Sequence, residues 1–414
     1  MRNIVWLVLL FAVAVVAALT LGDNDGMASF YWEGWRVDLS LNFFILAALA
    51  TGFAVMTAVQ AVNGLIGLPE RAREWRLLRL ERAAQAALRE ALAEYFGGRY
   101  ARAHKAAQRA ITIQDDRHDP GDDHEFRTLA CLLAAGSLHR LQDRNRRDDM
   151  LRRALRPGKR GANQPVDDGA RLLAAEWALD DRDGPRASSV LAELQPGVAR
   201  RTQALRLKLQ AARLERRPMD ALHTARLLAN HQAFSSTAAQ GLLRSLAIEA
   251  LESAHDADQL RRAWQQFDAA DQQDPFVAAR AARRAVLLQV AEDGRAWLRP
   301  LWDRLDTLGA DGRAEVALAL VDTAAGLGPD WLARIELAQR AHPTEPAVQA
   351  AVGAVLAECQ LWGKARRPLE MAANDARLQA RARRQAWRAL ARLASEEGDE
   401  QRALECLRQA AAQD

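Results

Sequence analysis

Two long apolar runs open the chain, after which the pattern of apolar and polar positions becomes helical. Ile4 to Leu21 gives eighteen consecutive uncharged residues, mostly Val, Leu and Ala. A second uncharged run extends from Leu39 to Pro69, broken only by isolated polar residues. Crossing a bilayer takes about 20 helical residues at roughly 1.5 Å each. The runs therefore predict transmembrane helices over about 4–21 and 41–66, joined by a short loop at 22–38. The first run is too long for the core of a signal peptide and is not followed by a small-x-small cleavage site, so an uncleaved span is expected.

The second run passes without a linker into a segment carrying Arg71, Arg73, Arg76, Arg79 and Arg82. The loop between the spans holds Asp23, Asp25, Glu33 and Asp38 against a single Arg36. Basic residues mark the cytoplasmic side of a membrane segment. Both chain ends are thus expected in the cytoplasm and the loop outside. Met27 to Tyr31 and Trp35 to Leu39 flank Trp32-Glu33-Gly34 in a pattern that allows a small hairpin. Tyr31, Trp32 and Trp35 suit headgroup level, so an anchoring role is expected of it. Thr51, Thr57, Gln60 and Asn63 are the polar positions of the second run. Gln60 and Asn63 are expected to contact the first span, because polar side chains in lipid seek partners on another helix. Neither run has an ionisable residue in its core, which argues against an ion or proton pathway.

From Arg71 onward the periodicity is helical, and Trp75, Leu78 and Arg82 let the second span continue as a helix beyond the membrane. A repeat then emerges. Ala91, Gly98, Tyr100, Ala103, Ala107 and Ala110 reappear in kind as Trp387, Leu390, Ala391, Gly398, Ala403, Leu407 and Ala410. These are tetratricopeptide (TPR) spacings: an aromatic, a turn glycine, then alanines that let two antiparallel helices approach. Weaker copies include Ala135, Leu151 and Ala154, with Arg147 where a small residue belongs; Ala175, Ala187 and Leu191; Leu205, Leu209, Ala212, Ala221, Ala225 and Leu228; and Gly353, Leu356, Trp362, Ala365, Leu369 and Ala372. Between about 231 and 343 the register is not fixed by sequence, and Trp264, Trp297, Trp302 and Trp331 are expected to pack between helices. The fold class read from this is all-α: two transmembrane helices over residues 1–69, then a TPR-like α-α superhelical solenoid over 70–414. The run from Arg156 to Asp168, with Pro157, Gly158, Gly161 and Pro165, marks a candidate hinge.

Composition narrows the function. The net charge is +4, acids are interspersed with arginines, and Lys105, Lys159, Lys208 and Lys364 are the only lysines. No basic stripe for nucleic acid results. Cys131, Cys359 and Cys406 form no CxxC, and no metal site is expected. The acidic stretch from Asp115 to Glu125 contains His118 and His124 but implies no fixed ligand geometry, so it reads as a solvated loop. Nucleotide, metalloprotease and nucleophile-elbow motifs are absent, and the chain is expected not to be an enzyme. No cofactor is called for. A direct haem or porphyrin carrier would need an apolar cleft with an axial histidine, which the sequence does not reveal. A solenoid does offer a concave groove lined by the first helices of successive repeats. On that alignment Arg89, Leu92 and Tyr95 project from the first repeat, Arg206, Gln210 and Arg213 from the fourth, and Arg388 and Arg392 from the last. Arginine forks suit an acidic peptide, a C-terminus or porphyrin propionates.

The order of two spans, a short loop reading MASFYWEGWRVDLSL, an arginine-rich helix and then ALREALAEYFGGRYARAHKAAQRAI resembles the HemY-type inner-membrane proteins of proteobacteria. The resemblance spans the chain, and its specific part is residues 1 to about 110. It implies a bacterial inner-membrane protein associated with a late stage of haem biosynthesis, without an assigned catalytic activity. The implied role is a non-enzymatic scaffold contacting late haem-pathway enzymes. A general envelope-assembly adaptor with no tetrapyrrole role is the alternative. The flavoenzyme that oxidises protoporphyrinogen is not similar, since no dinucleotide fingerprint is present. The lipopolysaccharide-assembly type of membrane-anchored TPR protein differs in carrying paired CxxC motifs and one span.

Overall fold

A computed structural model describes residue 16 and residues 25–116, 124–156, 165–232 and 235–413; the side chains of 63–72 and 165 are outside that set. The fold is all-α apart from one hairpin, and it divides into two compact units, up to Arg147 and from Asp148. Of the expected first span only Val16 is described, and it is helical.

Unit 1 begins with strands β1 (Met27–Trp32) and β2 (Trp35–Ser40), antiparallel with Trp32 opposite Trp35. Glu33 and Gly34 form the two-residue turn at φ 43° and 90°. Positive φ at both positions gives the turn a twist that matches the strands. Helix α1 (Leu41–Phe96) follows at once, with the Ser40 hydroxyl accepting from the Phe43 amide at 3.3 Å. Its 56 residues run for about 84 Å. Leu41–Val62 has mean hydropathy 1.9 and is not buried against the rest of the chain, so this stretch is long and apolar enough to cross a membrane. The composition change at 69/70 therefore falls inside one continuous helix. The Thr51 and Thr57 hydroxyls donate to the carbonyls of Ala47 (2.7 Å) and Phe53 (2.9 Å) of their own helix. Neither hydroxyl needs the partner on another helix that polar residues in lipid otherwise seek. Beyond Arg82, α1 packs Ala84, Ala87 and Ala91 toward α2 (Tyr100–Asp115), which in turn packs on α3 (His124–Arg140). Arg147, on α4 (Arg144–Ala154), is 2 % exposed, and its Nη1 lies 3.1 Å from His139 Nδ1. A large cation thus occupies the small-residue position by finding a polar partner there.

Unit 2 continues with α5 (Pro165–Asp180), α6 (Gly184–Ala192), the short α7 (Pro196–Ala199), α8 (Thr202–Leu214) and α9 (Pro218–Asn230). Next come α10 (Ser236–Glu252), α11 (Ala257–Gln265), α12 (Ala269–Gln272), α13 (Pro275–Leu287) and α14 (Ala291–Trp302). The last are α15 (Ala310–Asp322), α16 (Leu332–Ala341), α17 (Pro346–Glu358), α18 (Trp362–Asn374), α19 (Ala380–Glu396) and α20 (Glu400–Ala411). Residues 157–164 of the expected hinge lie outside the described set. From Pro165 onward that segment is the first turn of α5, where buried Asp167 and Asp168 suit the positive end of the helix.

Helices pair as antiparallel hairpins, α8 with α9, α13 with α14, α17 with α18 and α19 with α20. Each of these turns closes on one residue at positive φ: Arg216, Gln289, Gln360 and Gly398, as do Gly98, Gln142 and Arg182. The next amide then bonds back five residues, as in Arg217 to the Ala212 carbonyl (2.8 Å), Val290 to Ala285 (2.9 Å), Leu361 to Leu356 (2.9 Å) and Asp399 to Ala394 (2.9 Å). This is the Schellman closure, which satisfies a terminal carbonyl of the outgoing helix. It fixes the register between 231 and 343, which the sequence leaves open because Gln289 stands where a glycine would signal the turn. First helices α13, α15, α17 and α19 start about 35 residues apart and pack in succession.

One apolar core runs from Leu205 to Cys406, and a smaller one lies between Leu172 and Ala211. Trp264 stacks on Trp297 at 4.9 Å, and Trp302 meets Trp331 edge-on at 6.3 Å, so these tryptophans fill gaps between helices. Ion pairs about one repeat apart tie hairpin to hairpin, among them Arg244–Asp274, Arg313–Glu345, Arg334–Asp303 and Arg402–Glu370.

At Gly353 of α17 an added Cβ would stand 2.6 Å from Leu369 Cγ of α18, with no slack in the crossing. Gly353→Val is expected to destabilise the chain by about 1–3 kcal/mol through overpacking. Gln360→Gly, seven residues on, is expected to stabilise it by about 0.5–1 kcal/mol by removing left-handed strain. Thermal unfolding of the detergent-solubilised chain checks both, and opposite signs are the expected result.

Candidate functional site

Small side chains on consecutive first helices leave a groove on unit 2. Ala350, Ala354 and Ala357 of α17 face Ala382, Ala386 and Ala389 of α19, with Val321 and Asp322 of α15 at one side. The groove is open to solvent and has a volume of about 200 Å³. Pockets for drug-sized ligands are typically about 300–1,000 Å³. The groove therefore suits inserted side chains better than a whole planar macrocycle.

Polar groups rim it. Asp322, with its side chain 10 % exposed, accepts from Arg283 Nε (3.1 Å), Arg381 Nη2 (3.1 Å) and Gln385 Nε2 (2.9 Å). Glu358 accepts from the Gly326 amide at 3.3 Å, and Arg392 Nη1 lies 3.6 Å from its carboxylate. Arg388 lines the groove and has no ion-pair partner among the described residues. Arg392 is one helical turn further along the same face. The acids of the groove are thus already engaged, and an arginine is left to meet an incoming anion.

The sequence-predicted residues separate accordingly. Arg388 and Arg392 come together in the groove. Arg206, Gln210 and Arg213 are exposed on α8, while the cavity of about 430 Å³ beside that helix is lined instead by Lys208 and Ala212, with Ser188, Arg217, Asp220, His223 and Thr224. Helical phase explains the difference, since Lys208 lies two positions from both Arg206 and Gln210 and so faces another way. Arg89, Leu92 and Tyr95 belong to unit 1. Arg89 is exposed and reaches only Gln85 at 3.4 Å, Leu92 is 41 % exposed, and Tyr95 packs edge-on against Phe96 and Tyr100. Tyr95 is half-buried beside the turn at Gly97 and Gly98. Gln60 is exposed on α1, and the side chain of Asn63, like the first span it was to meet, lies outside the described residues. In the acidic stretch Asp115 pairs with Arg127 at 3.2 Å and His124 opens α3, while His118 is outside the described set. Asp322, Glu358 and Gln385 were missed. Asp322 sits in the region of open register, and none carries a motif.

Residues 26–142, which include the hairpin, all of α1, α2 and α3, match the family model of the HemY protein N-terminus. This part of the chain is similar to the HemY protein N-terminus. The matched region contains Leu41–Val62, the stretch long and apolar enough to cross a membrane. A search of curated proteins finds no match to the chain. The HemY-type region holds Arg89, Leu92 and Tyr95 but stops well short of Arg388 and Arg392.

Among the described residues of that region, His104 is a buried histidine. It lies on α2 and is 7 % exposed, and among the described residues neither ring nitrogen makes a well-formed hydrogen bond, the Ala134 carbonyl being the backbone acceptor nearby. Burial pushes its pKa below the ordinary value, with nearby Arg146 adding to this and the Ala134 carbonyl and Asp143 opposing it. The unfolded chain therefore takes up this proton at higher pH than the folded chain. Stability is unaffected above the unfolded pKa of about 6.5 and falls as pH drops below it. A wild-type melting temperature that declines more steeply from pH 7.5 to 5.0 than that of His104→Leu is the expected result of paired thermal scans.

Proposed function

We propose that the chain is a HemY-type, non-enzymatic inner-membrane scaffold supporting a late step of haem biosynthesis through protein–protein contacts. On this reading unit 2 is a TPR-like α-α superhelical solenoid on the cytoplasmic side, and its groove takes an acidic segment of a late haem-pathway enzyme. The observation that carries it is the alanine-floored groove rimmed by Arg388 and Arg392. Its volume of about 200 Å³ suits inserted side chains, and its own acids are already hydrogen-bonded. Bidentate guanidinium–carboxylate pairing would supply the specificity, and the alanine floor would let a partner backbone approach closely. The arginines after Pro69 support the cytoplasmic placement. The apolarity of late porphyrins supports the membrane setting, where an enzyme held at the bilayer stays near its substrate.

The test is affinity capture from solubilised membranes. Arg388→Glu/Arg392→Glu is expected to lower recovery of late haem-pathway enzymes at least tenfold relative to wild type. Arg206→Glu/Arg213→Glu, on exposed α8 positions that do not line the neighbouring cavity, is expected to leave recovery unchanged. Porphyrin should accumulate in cells carrying only the first variant. Recovery of envelope-assembly proteins alone, with normal porphyrin pools, would instead favour a general adaptor.

A further inference from the structure

The hairpin β1–β2 sorts its side chains by face. Cross-strand partners share a face and successive pairs alternate. One face therefore carries Ala28 with Leu39, Phe30 with Val37 and Trp32 with Trp35. The other carries Met27 with Ser40, Ser29 with Asp38 and Tyr31 with Arg36. The second face satisfies its own polar groups. The Ser29 hydroxyl and Arg36 Nε both donate to Asp38 Oδ1, and the Arg36 guanidinium lies 5.8 Å from the Tyr31 ring centre. The first face is apolar throughout and largely uncovered, with Trp32 and Trp35 each 78 % exposed, Val37 49 % and Phe30 45 %.

What covers it follows from how the hairpin is attached. The Leu41 amide donates to the Gly26 carbonyl at 2.9 Å, so both ends of the hairpin are tied to the start of α1. The Phe30 ring lies 5.2 Å from that of Phe44, in the first turn of the apolar stretch Leu41–Val62. The apolar face of the hairpin is thus continuous with the apolar surface of the helix. Tryptophan and tyrosine are favoured at headgroup level, where one end of the ring is dry and the other wet. We propose that this face lies against lipid in the membrane interface, at the end of the span away from Arg71–Arg82, as a second anchoring surface. The inference rests on Leu41–Val62 being a membrane span. Such an anchor limits tilt and rotation of the span, and α1 carries that restraint without a break to its far end.

The test is nitroxide scanning in vesicles of phosphatidylethanolamine and phosphatidylglycerol, in full-length chain with Cys131, Cys359 and Cys406 replaced by alanine. Labels enter through Phe30→Cys, Trp35→Cys and Val37→Cys on one face and Ser29→Cys, Tyr31→Cys and Arg36→Cys on the other, with Leu49→Cys as the span control. The ratio of oxygen to nickel-chelate accessibility is expected to be at least fivefold higher on the apolar face, alternating residue by residue. High nickel accessibility at all six sites, with Leu49 in lipid, places the hairpin in water and overturns the inference alone. Exclusion of both reagents at 30, 35 and 37, with spin–spin broadening, puts a second copy there and also overturns it. Nickel accessibility at Leu49 sinks the span reading and the inference together. In a chain otherwise unaltered, Trp32→Phe/Trp35→Phe should remove part of the tryptophan fluorescence quenched by brominated lipid, and an unchanged quenched fraction would refute the proposal independently.

Discussion

Among the described residues, seven of the helical hairpins depend on one backbone device: the first helix ends on a left-handed residue, and the chain then turns back against it. At Gly98, Gln142, Arg182, Arg216, Gln289, Gln360 and Gly398 the same Schellman closure recurs. It ends the first helix and aims the chain into the second within two residues, so the two helices must pack closely. That closeness is what demands Gly353 against Leu369 and Gly294 against Ala282. Most of these turns use glutamine or arginine, which tolerate positive φ poorly. The packing of each hairpin and its bonds to the next must offset that strain.

The electrostatic pattern follows from the stacking. Once hairpins repeat at nearly constant spacing, an arginine on one lies near an acid on the next, and a ladder of pairs results. Each exposed pair contributes little, about 0–1 kcal/mol. Their consequence is more informative than their energy, because they engage acids such as Asp274, Asp303, Glu345 and Glu370 between neighbouring hairpins. In the groove between α17 and α19 the Arg388 guanidinium has no ion-pair partner among the described residues, over a floor too small-chained to fill the gap.

Helix α1 combines a stretch long and apolar enough to cross a membrane with one that packs into the protein interior. Its first part is apolar and uncovered, and its last part packs alanines onto α2. No flexible joint intervenes, since the helix is continuous from Leu41 to Phe96. Any orientation imposed where it begins, by the amphipathic hairpin tied to its first residue, is carried along about 84 Å of rod.

The sequence alone determined whatever depends on composition over a local window. The apolar stretch after Leu41, its helical continuation past Arg82, the hairpin around Glu33-Gly34 and the Gly98 and Gly398 turns are all legible. Each is set by hydropathy, by periodicity or by a residue whose backbone preference is strong. Tertiary structure decided the rest. The turn at Gln289 adopts a conformation its residue disfavours, so only the packed hairpins around it reveal the register. Arg147 and His104 are buried where a charge or an imidazole is costly, and their environments depend on helices distant in sequence. Asp322 and Gln385 meet across 63 residues. No local pattern encodes that pairing, because it exists only when first helices stack and side chains of different repeats point into the same groove.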